Sequence, residues 1–247
     1  MLFTFETHQI VLTTLLFVWT GFVRSGLGFG GAALGLPLLL FVHNQPIDWL
    51  PIIGFHLLIF SGLTLRTRLN NVDWNYLKRA GPLIVPSALV GVFGLITFPN
   101  QWLVIFIYSV TLIYAVIWLM NWSLVSNNNW LDRMFLVSGG YIAGTSLTGA
   151  PLMVAVFARN VTHQQLRNTL FVLWFTLVAI KMSTFALLSI DLQFMSAVAL
   201  LPTAAIGHYI GLKVHDMILS NDTGFKRVIG AVLIFISSIG LYQVINI

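Results

Sequence analysis

Long apolar stretches separated by short polar loops dominate the chain. A transmembrane helix needs about 20 apolar residues to cross about 30 Å of hydrocarbon. Segments that meet or approach that length lie at residues 50–65, 80–98, 102–120, 168–188, 194–212 and 228–247. The pattern therefore predicts an all-α polytopic membrane protein.

Two further apolar regions are each interrupted by a segment rich in glycine. Residues 10–23 and 32–42 flank the segment 24–31, and residues 134–143 and 150–158 flank the segment 144–149. Helical arms of roughly 10 to 14 residues rise about 15–21 Å, which is hardly enough to cross a bilayer. Each region is therefore predicted to be a broken helix or a re-entrant hairpin.

The two interrupted regions also align with each other. At a shift of 118 residues Gly26 falls on Gly144 and Gly31 on Gly149, and at a shift of 116 the segment 86–91 falls on 202–207. Self-similarity of this kind indicates an internal duplication. The predicted repeats run from about residue 9 to 121 and from about 132 to 247, within a single transmembrane domain that covers residues 1–247.

Basic residues indicate how the repeats are oriented. If each hairpin enters and leaves the membrane by one face, each repeat makes three full crossings and the second repeat is inverted. Placing the loop at residues 66–79 in the cytoplasm then puts most of the 12 Lys and Arg residues inside, as the positive-inside rule requires. The predicted fold is two inverted repeats, each with a broken or re-entrant hairpin and three transmembrane helices.

Composition agrees with a membrane location and excludes several functions. Only 8% of the residues are charged, against about 25% in soluble proteins, and the mean hydropathy is +0.92. The chain has no cysteine, and its histidines lack the spacing of metal ligands, so we predict no metal site and no cofactor. The net charge of +5 resides in loops rather than on a basic face, so no nucleic-acid partner is expected.

The two glycine-rich segments form the candidate substrate site. Where a helix breaks, the N–H groups of the new N-terminus can bind an anion, and glycine lets a ligand approach the backbone. The candidate binding residues are Arg24, Ser25, Gly28, Gly30 and Gly31 in the first segment and Thr145, Ser146, Thr148 and Gly149 in the second. Close helix packing through small residues is the alternative explanation.

Three ionisable residues lie within or beside apolar segments. A charge at membrane depth, as expected for Arg24, is costly and suggests a function, although Arg24 could instead snorkel to the headgroups. Lys181 lies near the outer end of its helix, where snorkelling is the preferred interpretation. His56 is a candidate anion contact or proton carrier, with a satisfied core histidine as the alternative. Because no carboxylate lies inside an apolar segment, the site is predicted to take an anion.

Both glycine-rich segments resemble motifs of the sulfite exporter TauE/SafE family. Residues 26–37 read GLGFGGAALGLP, and residues 140–151 read GYIAGTSLTGAP, in which Thr148 and Ala150 flank Gly149 where the family has a glycine run. The resemblance extends over essentially the whole chain. It implies a multi-pass permease of the bacterial inner membrane that exports small anions such as sulfite or sulfoacetate.

The function predicted from these features is secondary transport of small anions by alternating access, not enzymatic catalysis. An anion channel and a non-transporting membrane assembly protein are the alternatives. The expected partners are a small anionic substrate and the lipid bilayer. The substrate, the coupling ion and whether two copies form a homodimer stay open.

The topology can be tested with single tags. Tags in the loops at residues 66–79 and 159–167 should both report the cytoplasmic face, because the positive-inside rule places both basic loops there. The measurement is labelling by a membrane-impermeant reagent in intact cells and in lysed cells. Labelling of the two tags from opposite faces would contradict the inverted repeat.

Overall fold

The computed structural model describes residues 1–27, 31–66, 68–122, 124–220 and 222–246. Within these ranges, side chains are described for all residues except Asp216, Ile218, Leu219, Ser220 and Asp222. The described chain forms ten α-helices and no β-strand, which confirms the all-α prediction. They are α1 (Thr7–Leu27), α2 (Gly31–Val42), α3 (Pro46–Leu65), α4 (Trp74–Thr97), α5 (Asn100–Leu119), α6 (Asn129–Ser146), α7 (Ala150–Asn160), α8 (His163–Leu187), α9 (Phe194–Ser220) and α10 (Asp222–Ile245).

Seven of the described helices are long and apolar enough to cross a membrane. They are α1, α3, α4, α5, α8, the part Phe194–His215 of α9 and the part Thr223–Ile245 of α10. By contrast, α2 and α7 have only 12 and 11 residues. Large apolar side chains such as Phe93, Trp102 and Phe235 are more than half exposed, as expected of a surface that faces lipid rather than water. The protein is therefore a multi-pass membrane protein.

The first helix break lies later in the chain than the sequence pattern predicts. Helix α1 continues through Arg24 and Ser25 to Leu27, and its 21 residues span about 31 Å at 1.5 Å per residue. It is therefore long enough to cross a bilayer, and the prediction of a short arm ending at residue 23 is wrong. The polar residues do not end the helix because arginine is a good helix former and Ser25 Oγ donates to the carbonyl of Gly21 at 3.1 Å. Likewise, α6 runs to Ser146 and not to residue 143.

Polar side chains cap the starts of α4 and α6. The Oδ1 atom of Asp73 accepts a hydrogen bond from the N–H of Tyr76 at 2.9 Å, and the side chain of Asn128 accepts one from the N–H of Leu131 at 2.8 Å. Asp and Asn are preferred at such positions because their oxygens satisfy N–H groups that have no partner inside the helix. Both caps fix the point at which an apolar helix begins.

The helices form two compact units, and each unit combines parts of both predicted repeats. The first consists of Met1–Leu50, Phe98–Ser123 and Gln193–Ile247, and the second of Pro51–Thr97 and Leu124–Leu192. In the first unit α1 packs most extensively on α9, and in the second α4 packs most extensively on α6. If α1 and α6 begin the two repeats, each unit pairs the first helix of one repeat with the fourth helix of the other.

Glycines allow α1 and α9 to approach closely in the first unit. A Cβ atom added to Gly21 would lie 2.2 Å from the carbonyl oxygen of Ala204, and one added to Gly207 would lie 1.9 Å from that of Val18. Both distances are far below van der Waals contact. The two backbones can therefore touch only because neither glycine carries a side chain.

The crossing of α4 and α6 in the second unit is built in the same way. A Cβ atom on Gly144 would lie 2.0 Å from the carbonyl oxygen of Ala88, and one on Gly91 would lie 2.2 Å from that of Tyr141. Each crossing thus uses one glycine from each helix, pressed against a carbonyl of the other helix.

The two crossings suggest a second alignment of the predicted repeats. Gly21 corresponds to Gly144, a shift of 123 residues, and Gly91 corresponds to Gly207, a shift of 116. The second shift agrees with the one read from the sequence, but the sequence alignment placed Gly26 on Gly144. The difference arises because the hairpin tips lie at different distances from the crossings: α1 extends six residues beyond Gly21, and α6 extends two beyond Gly144.

Two glycines of α4 provide a matched test of this packing. Gly91→Ala should destabilise the protein by about 1–3 kcal/mol, because its new methyl group would overlap a backbone carbonyl. Gly81→Ala should be neutral or stabilising by about 0.5–1 kcal/mol, because nothing lies within 4 Å and alanine favours the helix. Thermal unfolding in detergent measures both. Equal unfolding temperatures for the two variants would refute the close crossing.

Candidate functional site

In the first unit, two histidines of α9 contact the last turn of α1. His208 Nδ1 contacts the hydroxyl of Ser25, and His215 Nδ1 donates to the carbonyl oxygen of Gly26 at 2.6 Å. The two histidines are seven residues apart, which places them on one face of α9. The sequence analysis did not select either of them. A histidine pair at this spacing on a predicted membrane helix is the signal that would have found them.

Helix α2 folds back against α1 through small residues. A Cβ atom on Gly31 would lie 3.0 Å from Arg24 Cβ and 3.1 Å from the carbonyl oxygen of Thr20, and one on Gly35 would lie 2.1 Å from Thr20 Cγ2. The indole N–H of Trp19 donates to the carbonyl of Leu34 at 3.3 Å. Gly31 thus serves the packing of this hairpin, whether or not it also contacts a ligand.

In the second unit, the three predicted hydroxyl residues are fully buried, and their hydroxyl groups are hydrogen-bonded within the hairpin or to α4. Thr145 Oγ1 donates to the carbonyl oxygens of Tyr141 at 2.9 Å and Gly91 at 3.2 Å. Ser146 Oγ donates to the carbonyl of Ile142 at 3.0 Å, so the Thr148 hydroxyl supplies the proton of the 2.6 Å contact between Ser146 and Thr148. All three hydroxyl groups therefore donate their protons to oxygen atoms of the protein around the end of α6.

The turn between α6 and α7 brings a helix N-terminus into the interior. Leu147 has φ 60°, a left-handed conformation that ends α6. A Cβ atom on Gly149 would lie 1.9 Å from the carbonyl oxygen of Gly139, so only glycine permits this approach. Helix α7 then begins at Ala150, which is buried, and no side chain caps its N-terminus. Pro151 in the first turn removes one N–H that would otherwise need an acceptor.

Of the four remaining predicted residues, the structure describes two. His56 is buried beside the rings of Phe55 and Phe60 in the second unit. Gly28 and Gly30 lie outside the described residues. Lys181 is only 1% exposed, so the preferred interpretation that it snorkels to the surface is wrong.

The structure groups the described candidates by unit. Arg24, Ser25 and Gly31 belong to the first unit, where Gly31 lies against Arg24. His56, Thr145, Ser146, Thr148 and Gly149 belong to the second, where the structure brings Ser146 and Thr148 together. Among the residues that the structure describes, no group of three or more His, Asp or Glu side chains could hold a metal ion.

A polar cluster at the base of the second hairpin escaped the sequence analysis. Asp132, in the first turn of α6, is 8% exposed. Its Oδ2 atom accepts hydrogen bonds from Arg159 Nη1 at 3.0 Å and from Asn160 Nδ2 at 3.4 Å. Because Arg159 and Asn160 end α7, this cluster ties the two arms of the hairpin together at the end opposite the tip.

Comparison with known protein families supports a transporter. The chain matches the family model described as "Sulfite exporter TauE/SafE" over residues 13–239 of its 247 residues. Neither curated proteins nor solved structures gave a match. The matched range contains both glycine-rich segments and every candidate site residue.

The cluster at Asp132 can be tested with a double-mutant cycle. Asp132→Ala should destabilise the protein by about 1–2 kcal/mol, less than for a fully buried pair, because the side chain of Arg159 is 36% exposed. Arg159→Ala should cost a similar amount, and the double variant should cost less than the sum. Arg133→Ala, which removes an exposed neighbouring charge, is the control. Additive effects measured by thermal unfolding would show that the cluster does not act as a unit.

Proposed function

Because the chain belongs to the sulfite exporter TauE/SafE family of membrane transporters, we propose that it is a secondary transporter of small anions. The substrate class is sulfite, sulfoacetate or related organosulfur and organic anions. The proposed direction is export across the cell membrane. The family implies that this membrane is the bacterial inner membrane. Transport proceeds by alternating access.

The uncapped N-terminus of α7 is the observation that carries this proposal. Backbone N–H groups inside a membrane protein must find an acceptor in protein, water or ligand. Those at the start of a helix also lie at the positive end of the helix dipole, which favours an anion. The buried tip at Thr148, Gly149 and Ala150 offers such N–H groups without a capping side chain.

Arg24 supplies the charge in the first hairpin. It is partly buried in the last turn of α1, next to Ser25, whose hydroxyl contacts His208 of α9. A guanidinium group carries only donors and binds oxyanions well. We assign Arg24 and the backbone around Gly28, Gly30 and Gly31 to anion binding in the first hairpin, with Ser25 linking the tip to α9.

The buried hydroxyl groups of the second hairpin have a supporting role in this proposal. Thr145, Ser146 and Thr148 already donate their protons within the hairpin, so in this state they hold the shape of the tip. Their remaining lone pairs accept rather than donate. Backbone N–H groups beside Gly149 are therefore the primary anion donors, and His56 is a further contact on α3 of the same unit.

Reconstituted protein separates this function from its alternatives. Proteoliposomes should accumulate labelled sulfite or sulfoacetate with saturating kinetics, and unlabelled anion on the opposite side should accelerate exchange. Uptake without saturation or counterflow would indicate a channel. Absence of transport for sulfite, sulfoacetate and simple carboxylates would favour an assembly protein.

Arg24→Ala should lower the uptake of these anions by about ten- to hundredfold, which corresponds to losing a charge-assisted hydrogen bond of about 1.5–3 kcal/mol. The folded yield should stay near that of the wild type, because α1 keeps its glycine crossing with α9. Arg66→Ala, which removes an exposed arginine outside the helices, should transport normally. A collapsed yield together with normal transport by the surviving Arg24→Ala protein would make Arg24 structural.

A further inference from the structure

Lys181 presents a buried amine that the proposed site does not use. The residue lies in α8 and is 1% exposed. Its Nζ atom has no hydrogen-bond partner, and no carboxylate pairs with it among the side chains that the structure describes. A buried ammonium group is costly unless an anion or acceptor compensates its charge. Packing alone does not explain a lysine at this position, because leucine or methionine would fill the space without that cost.

A second buried donor lies on the same face of α8. The indole Nε1 of Trp174 is also buried without a partner within the described chain. Trp174 and Lys181 are seven residues apart, which places them on one side of the helix about 10.5 Å apart along its axis. Seven residues before Trp174, the partly buried Arg167 lies near the start of α8, with its guanidinium 5.5 Å from the ring centre of Phe171. One face of α8 thus carries three groups that can only donate.

This face of α8 lies inside the protein rather than against lipid. Met182 and Val178, next to Lys181 on α8, lie 3.0 and 3.3 Å from a Cβ atom built on Gly54 of α3. Thr176 and Ser183 lie on the exposed side of α8. Lys181 therefore faces neighbouring protein within a membrane-spanning helix, and ionisable residues at such positions in transporters line substrate paths.

We propose that this face of α8 is an anion pathway with three successive donors: Lys181 near the end of the helix, Trp174 at its middle and Arg167 near its start. The inference rests on the proposed transport function and adds a second binding element within the second unit. The three groups offer N–H donors and no acceptor, so the path favours a deprotonated oxyanion, such as a sulfonate or sulfite, and repels cations. Helical side chains lean toward the N-terminus of their helix, so the amine of Lys181 leans toward Trp174.

The absence of native cysteine makes a direct chemical test straightforward. Lys181→Cys should react in detergent with 2-sulfonatoethyl methanethiosulfonate, itself a sulfonate, at least about tenfold faster than Leu173→Cys, because a thiol in a packed apolar core is inert. Leu173 is the matched control, since it packs in the hydrophobic core on a different side of α8, roughly 80° around the helix axis from Lys181. Sulfoacetate should slow the reaction at Lys181→Cys, and it is preferred to sulfite because sulfite cleaves the mixed disulfide.

The same variant tests transport. Lys181→Cys should transport labelled sulfoacetate at least about tenfold more slowly than the wild type, the effect of losing one charged donor. The 2-aminoethyl methanethiosulfonate reagent places an amine near the position of Nζ and should restore transport, whereas the sulfonatoethyl reagent should not. Lys78→Met removes an exposed lysine and should leave transport unchanged.

Two results would overturn the pathway: a thiol at Lys181→Cys as unreactive as the one at Leu173→Cys, or full transport by Lys181→Met. If Lys181→Cys folds poorly, Trp174→Phe removes only the indole N–H, and it should slow transport without lowering the unfolding temperature. If the wild type transports none of the anions tested, the proposed function fails. Fast, sulfoacetate-protected labelling of Lys181→Cys would still support the anion site.

Discussion

The need to satisfy every backbone N–H group inside the membrane is the constraint on which the rest of this structure depends. A continuous helix meets it internally, but a helix that starts in the interior leaves its first N–H groups without partners. The protein places such a start at α7 and caps it with no side chain. Pro151 removes one of these groups, and the others lie at the positive end of the helix dipole, where we propose that an anion binds.

Glycine residues allow the backbone segments of this hairpin to pack closely enough. The hairpin that ends with α7 is short, so close backbone packing must hold it in place. Gly149 lets the turn lie against the backbone of Gly139, and Gly144 lets α6 cross α4 at backbone contact. The first unit repeats the crossing with Gly21 and Gly207. Close packing through glycine therefore fixes the position of the N-terminus of α7, which is the proposed anion site.

Each unit holds a basic residue in a membrane helix, Arg24 in the first and Lys181 in the second. No carboxylate among the described side chains forms a salt bridge with Lys181. The buried carboxylate of Asp132 is instead neutralised by Arg159 at the far end of its hairpin. A basic residue in each unit agrees with the proposed transport of anions.

The helical membrane class, the approximate extent of most spans, the two glycine-rich interruptions and the family could all be predicted from the amino-acid pattern. These follow from local properties, because apolar length and glycine placement act over a few neighbouring residues. The folded arrangement was needed to see that α1 continues to Leu27, that Lys181 is buried in the protein and that His208 and His215 contact the end of α1. Each of these features depends on a second helix far away in the chain. Whether a polar residue ends a helix, snorkels or is buried is set by what packs against it, and the sequence pattern around that residue does not contain this information.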